Sequence, residues 1–286
     1  MYYLLLAIFY PISLLPFPAL YLLSDFVYFL LYYMIGYRKE LVAESLLYAF
    51  PEKNAGELEQ IRKRCYHNFC DQWLETVKLL SISDKELNRR MTGNWEVFAR
   101  LNSAEKNTYA LLGHTFNWEW ANVVCQLNAQ QQFAGVYLPA TDKAFDRLLQ
   151  KIRTRSGAWL ISMHAKKGMA RLQQVRYIMG LIADQNPSNL NNVYWTDFMN
   201  REAPFFKGTE LLASRNKAAV VFAGIHRVKR GYYDVKLEHI TDDASLLPQN
   251  TILQQYVTFM ERQVRNQPEN WMWTHNRWKY KRNDLQ

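Results

Sequence analysis

The chain has 286 residues, long enough for one large domain or two modest ones with ample core. Apolar side chains make up 49% and aromatics 15%, which excludes disorder and low complexity. Lys and Arg number 35 against 26 Asp and Glu, a formal charge of +9, so an anionic partner is expected: a membrane surface, a phosphorylated lipid, an acidic carrier protein or nucleic acid.

Residues 1–37 carry a single charged side chain, Asp25, and Pro11, Pro16 and Pro18 split the apolar run into 2–15 and 19–36. The basic start and small-residue cleavage site of a signal peptide are missing. A hydrophobic membrane anchor is expected over 1–37. It would be a span or re-entrant hairpin, or an apolar segment lying in the interface, as its tyrosines favour. A buried core helix is the bland alternative. Arg38 and Lys39 follow at once, which by the positive-inside rule places the rest of the chain in the cytoplasm.

Residues 38–50 and 56–80 read as amphipathic helices separated by Pro51. Ile61, Cys65, Phe69, Trp73 and Val77 recur every four positions in the second. From about residue 107 the rhythm changes. Strand-like runs at 109–112, 133–138, 159–163, 177–183, 218–225 and 232–239 alternate with helical stretches at 118–127, 142–155, 165–175, 208–216 and 253–264. That alternation predicts an α/β sandwich over a largely parallel sheet. One domain over 38–286, with a helical lead-in over 38–105, accounts for the chain after the anchor. Cys65, Cys70 and Cys125 form neither a disulfide framework nor a zinc spacing and read as buried or inert thiols.

Four segments can carry chemistry. Gly113-His114-Thr115-Phe116-Asn117-Trp118-Glu119 joins a predicted strand to a predicted helix. On one helix His114 and Glu119 would stand about 140° apart. Across a strand–turn–helix junction the carboxylate can fold back onto the imidazole, as an orienting acid serves a base. Equally, Glu119 can be a first-turn acid complementing the helix dipole, with Asn117 as N-cap. Arg153 and Arg155, at a helix end, suit a guanidinium fork on phosphate or simple dipole complementation. Asp184, with Gln185 after it, follows a strand, where sites of α/β proteins gather; it can position His114 or start a turn. The tail, with Trp271, Trp273, His275, Arg277, Trp278 and Lys279, suits a membrane interface or an anionic headgroup, or packs its indoles on the core. His164 is expected at the surface. No nucleotide-binding glycine loop and no nucleophile elbow is present.

Taken in order, these segments resemble the lysophospholipid acyltransferase-like family, in particular the late acyltransferases of bacterial lipid A biosynthesis, the lauroyl and myristoyl transferases. The resemblance rests on the hydrophobic amino terminus, Gly113-His114-x-x-Asn117-Trp118-Glu119, Arg153-x-Arg155-x-Gly157 and Ala183-Asp184-Gln185. It continues through Ala203-Pro204-Phe205-x-x-Gly208 and Trp271-x-Trp273-x-His275-x-Arg277-Trp278-Lys279. Phe116 stands where the family often has glycine.

The resemblance implies a glycerolipid acyltransferase-like α/β fold at the cytoplasmic face of a bacterial inner membrane. It implies transfer of an acyl group from an acyl carrier protein thioester, or acyl-CoA, to a lipid hydroxyl. His114 would be the general base and Glu119 its orienting acid, with Asp184 a competing or additional one. Arg155 and Arg153 would bind phosphate, and Asn117 and Gln185 complete the substrate-binding candidates. No cofactor beyond the thioester co-substrate, no metal and no nucleic-acid partner is implied. The acceptor is expected to be a phosphorylated glycolipid, the lipid A precursor. A phosphatidylinositol mannoside, lysophospholipid or aminoacyl lipid is the alternative. A lipid hydrolase using Ser156, Ser162 or Ser214, and a non-catalytic binder of anionic lipid or nucleic acid, are the competing classes.

Overall fold

The computed structural model describes residues 1–163 and 166–282; His164 lies outside them. Two apolar helices open the chain, α1 (Tyr2–Leu14) and α2 (Phe17–Phe29), and π-helical turns over Leu30–Ile35 continue α2. Pro18 sits in the first turn of α2, where a missing N–H leaves no hydrogen bond unmade. Phe17–Ile35 is the one helix among the described residues long and apolar enough to cross a bilayer.

The two faces of α2 differ. Leu22 is 72% exposed, and Phe26, Phe29 and Tyr33 beside it are exposed too. Tyr21, Ser24, Asp25, Tyr28 and Tyr32, one helical stripe, turn toward the protein. They meet α4 (Ala55–Lys78), which follows α3 (Lys39–Ala49). A capping box opens α4: the Glu57 N–H donates to Asn54 Oδ1 at 3.1 Å, and the Asn54 N–H to Glu57 Oε2 at 2.9 Å. Ile61 and Cys65 of the expected apolar stripe are buried, but Trp73 is 42% exposed.

A second stripe of α4 is polar and holds the apolar helices. Ser24 Oγ donates to Asp71 at 2.7 Å, and Tyr32 Oη to Glu59 at 2.6 Å. Lys78 Nζ donates to the carbonyls of Ser13 and Leu15 at 2.7 and 2.8 Å, satisfying the open end of α1. The amino-terminal segment is therefore docked on the domain through its few polar groups. It is no core helix either, because its other face is exposed. Arg38 donates to the Thr274 carbonyl at 2.7 Å, and Lys39 lies 4.1 Å above the Tyr32 ring, so both basic residues are engaged within the protein.

The remaining elements are α5 (Asp84–Arg90), β1 (Met91–Gly93), α6 (Glu96–Ser103), β2 (Thr108–Leu112), α7 (Trp118–Asn128), β3 (Gln132–Tyr137) and α8 (Lys143–Arg153). Then come β4 (Trp159–Ser162), α9 (Lys166–Leu172), β5 (Tyr177–Ile182), β6 (Val193–Phe198), β7 (Arg201–Phe206), α10 (Gly208–Arg215), β8 (Ala219–Lys229), β9 (Tyr232–Thr241) and α11 (Thr251–Asn266). Seven strands form one sheet in the order β1-β9-β8-β2-β5-β3-β4. Every pairing in it is parallel except β8 with β9. β6 and β7 form a separate antiparallel hairpin that the alternation of strands and helices does not foretell.

The fold is thus mixed α/β with a mostly parallel central sheet, and helices cover both faces. On β2, Tyr109 and Leu111 pack into the core shared with α11 and the tail, and Ala110 and Leu112 into the core shared with α5, α6, α7 and α8. The three cysteines are buried and unpaired, and burial pushes the Cys65 and Cys70 thiols up to about 12.

Candidate active site

β2 and β5 are neighbours in the sheet, and Leu112 pairs with Ile182. Two residues further along each strand stand His114 and Asp184. The register alone therefore sets them side by side beyond the carboxyl end of the sheet. Gly113 leaves room at this junction: a Cβ there would fall 2.1 Å from Met260 Cε, so that side chain would have to move, and 3.2 Å from Asp184 Oδ2.

Asp184 is fully buried, and both its oxygens are used. His114 Nδ1 lies 2.6 Å from Oδ1, while Oδ2 accepts from the His114 backbone N–H at 2.8 Å and from Trp271 Nε1 at 2.7 Å. Burial acts to raise its pKa. The charge of His114 and the hydrogen bonds from ring, indole and backbone outweigh burial and hold it below the ordinary carboxylate value. No described residue hydrogen-bonds His114 Nε2, and the Trp118 ring meets the imidazole edge-on at 5.0 Å.

Glu119 does not make the orienting contact expected of it. Its carboxylate takes Arg153 Nε at 2.8 Å and Nη2 at 2.6 Å, and the Trp118 indole N–H at 3.1 Å. The geometry explains why. Asp184 approaches the imidazole along a strand that runs beside its own, whereas Glu119 points from the first turn of α7 toward the end of α8. The same bidentate pair occupies Arg153, so a phosphate there would have to displace a carboxylate.

Arg155 pairs with Asp84 at the start of α5, at 2.8 Å, and is not among the groups bonded to His114 or Asp184. Asn117 is buried, and both ends of its side chain are committed. Oδ1 caps α7 by accepting from the Trp120 N–H at 3.0 Å, and Nδ2 donates to Glu75 at 2.8 Å. Gln185 faces Met272, with Nε2 3.9 Å from the sulfur. Of the residues singled out in the sequence, then, His114 and Asp184 are brought into direct contact, and Glu119 and Arg153 pair beside them.

The tail closes the site from behind. Thr115 and Trp271 form an antiparallel bridge, Phe116 N–H donates to the Asn270 carbonyl at 2.9 Å, and Met272 N–H donates to the His114 carbonyl at 3.1 Å. Trp271, Trp273 and Trp278 are buried, so their indoles are core rather than membrane-interface groups. Arg277 is buried too and donates to Asn186 Oδ1 at 3.1 Å and the Pro204 carbonyl at 2.7 Å; burial lowers its pKa to about 10. His275 Nε2 accepts from the Asn186 N–H at 3.3 Å, and burial pushes it down to about 4.

Sequence reasoning missed Trp271 as a partner of Asp184, because an indole beside basic residues reads equally well as an interfacial group. It also missed Glu75, one carboxylate in a helix full of charges. Aromatic rings run from His114 through Trp118, Phe116 and Phe69 to Trp73 and Phe145, each 5.0 to 6.4 Å from the next. No serine is among the hydrogen-bond partners of His114. No three His, Cys, Asp or Glu side chains among the described residues converge as a metal site requires.

One protein-family model, described as bacterial lipid A biosynthesis acyltransferase, matches residues 1–280. No curated protein matches the chain.

Proposed function

The chain belongs to the bacterial lipid A biosynthesis acyltransferase family, and on that premise we propose that it moves a fatty acyl group from a thioester of acyl carrier protein or CoA to a hydroxyl of a phosphorylated lipid A precursor. The reading places it at the cytoplasmic face of the inner membrane. The observation that carries it is the His114–Asp184 pair beyond the ends of β2 and β5, with Nε2 unengaged by described residues.

With Nδ1–H donated to Asp184, Nε2 presents its lone pair. It takes the acceptor's hydroxyl proton as that oxygen bonds to the thioester carbonyl carbon. Collapse of the tetrahedral intermediate breaks the C–S bond, and the imidazolium returns its proton to the departing thiolate. Asp184 stays ionised throughout, since its partners hold its pKa down, and it stabilises the imidazolium. Glu119, itself held by Arg153, accepts from the Trp118 indole N–H and so fixes the ring that meets the imidazole edge-on. The thioester is already activated, so no covalent acyl-enzyme and no cofactor enters the scheme.

The exposed apolar faces of α1 and α2 support membrane attachment, with the docked polar face favouring a segment seated on the domain over a free span. The aromatic row beside His114 suits a hydrocarbon chain. Transfer of radiolabelled acyl groups from acyl carrier protein or CoA to a lipid A precursor by the purified full chain tests the reading. His114→Ala should lose about 10²–10⁴ in kcat and stay folded; near-normal turnover would sink the mechanism. Mass spectrometry of membrane lipids with and without the gene should show loss of one acyl chain from lipid A. Loss from another lipid instead would reassign the acceptor.

A further inference from the structure

The loop that carries His114 is held from below by one buried carboxylate. Glu75, on α4, is fully buried and bonded to three other elements. Oε1 accepts from Tyr21 Oη of α2 at 2.9 Å; Oε2 accepts from Asn117 Nδ2 at 2.8 Å and from Tyr233 Oη of β9 at 2.6 Å. Its backbone carbonyl accepts from Trp120 Nε1 at 2.7 Å. Glu75 thus grips Asn117, which ends the His114 loop, and through its carbonyl the first turn of the helix that follows.

Its other oxygen takes a group from the apolar amino-terminal helix. One turn back on α4, Asp71 takes Ser24 of the same helix at 2.7 Å and Arg227 and Arg230 of the β8–β9 hairpin, each at 2.7 Å. Arg230 reaches on to Asp25 at 2.6 Å, and His67 meets Asp25 at 2.8 Å. A segment needed only for attachment to a bilayer would have no reason to place a tyrosine hydroxyl on a buried carboxylate shared with the active-site loop. A carboxylate left underground with fewer partners is costly, so the contacts are mutually dependent.

We propose that Glu75 is a positioning residue, fastening the His114–Asn117 loop to the apolar helix α2 through the Tyr21–Glu75–Asn117 bridge. The docked helix is then part of what sets the imidazole in place, beyond attaching the chain to lipid. This inference rests on His114 being the base.

The test is a kinetic cycle on the full chain in detergent micelles, with an acyl carrier protein thioester and a phosphorylated lipid A precursor as probes. Wild type, Tyr21→Phe, Glu75→Gln and the double variant are compared across a full range of substrate concentration, so that kcat and KM are read separately. Glu75→Gln should lower kcat by about 10- to 100-fold, the cost of a misplaced catalytic group, with KM unchanged. Tyr21→Phe should lower kcat by about two- to tenfold, the worth of one hydrogen bond, and should cost nothing further on the Glu75→Gln background. Wild-type kcat in Glu75→Gln, or the same Tyr21→Phe factor on both backgrounds, overturns the proposal.

If Glu75→Gln does not melt cooperatively, Asn117→Ser takes its place, since serine keeps the cap on α7 but cannot reach Glu75. The same non-additivity with Tyr21→Phe is expected, and additivity overturns the bridge. His114→Ala in the same assay separates the two levels. Turnover surviving that change refutes the base and the bridge together, whereas an inactive His114→Ala beside a fully active Glu75→Gln refutes the bridge alone.

Discussion

Asp184, beyond the carboxyl end of the sheet, and Glu75, beneath the apolar helices, are both fully buried, yet their surroundings act on them in opposite directions. At Asp184, burial is outweighed by His114 and by N–H donors from ring, backbone and indole, and the pKa falls. At Glu75, burial is reinforced by the charge of Asp71 and only partly offset by Tyr233, Arg227 and Asn117, and the pKa is pushed up to about 6. Depth alone does not decide ionisation; the donors do. The region around Asp184 is arranged to keep a standing negative charge beside an imidazole. The region around Glu75 is arranged to hold three other elements to α4.

The sharpest way to break this contrast is at Asp71, where burial acts to raise the pKa but His67, Arg230 and Arg227 hold it at about 2. Asp71→Asn removes the centre of that cluster and should destabilise the chain by about 3–5 kcal/mol, read by denaturant unfolding in detergent. A loss under about 1 kcal/mol, the worth of an exposed pair, would mean the apolar helices are held by packing instead. Trp271→Phe takes one donor from Asp184 Oδ2 and should cost about 1–3 kcal/mol, with a lowered kcat. Unchanged stability and turnover would remove the tail from the site.

The opposite shifts predict opposite pH behaviour. Glu75 holds its proton in the fold up to about 6, above its ordinary value. Protonation therefore favours the folded state, and that contribution is lost as pH rises through this range. The depressed Asp184 contributes stability above its ordinary value and loses it only as pH falls through its folded pKa. Melting curves should show the gap between wild type and Glu75→Gln changing between about pH 7 and about pH 5. A flat Glu75→Gln gap would contradict the raised pKa. The smallest effect is expected at Arg155, whose partner Asp84 is exposed. Arg155→Ala should cost under about 1 kcal/mol and leave KM for a phosphorylated acceptor unchanged; a raised KM would restore the phosphate fork.

Much of this was legible in the sequence. The apolar run 109–112 with Gly113-His114 after it, and the run 177–183 with Asp184, named two strand ends, and a parallel sheet makes neighbours of such ends. The antiparallel turn of β9 was hidden because a strand's direction leaves no mark in its alternation. The β6–β7 hairpin was hidden because Val193, Tyr194, Trp195 and Thr196 are only half-buried and carry no clean period. Three-residue β1 is too short to show one. Glu119's partner was unreadable because five residues across a turn leave its direction open until the backbone is known. The tail misled because tryptophan beside arginine suits a headgroup and a core equally, and only the burial of the three indoles together with Arg277 separates the two.

The decisive measurement is kcat for Asp184→Asn beside Glu119→Gln, in the full chain with the same thioester and acceptor. Asp184→Asn should fall to within about tenfold of His114→Ala, since groups acting as one unit do not add, and Glu119→Gln should fall by less. Asp184→Asn at the wild-type rate, with Glu119→Gln as inactive as His114→Ala, would contradict the His114–Asp184 assignment and return the orienting role to Glu119.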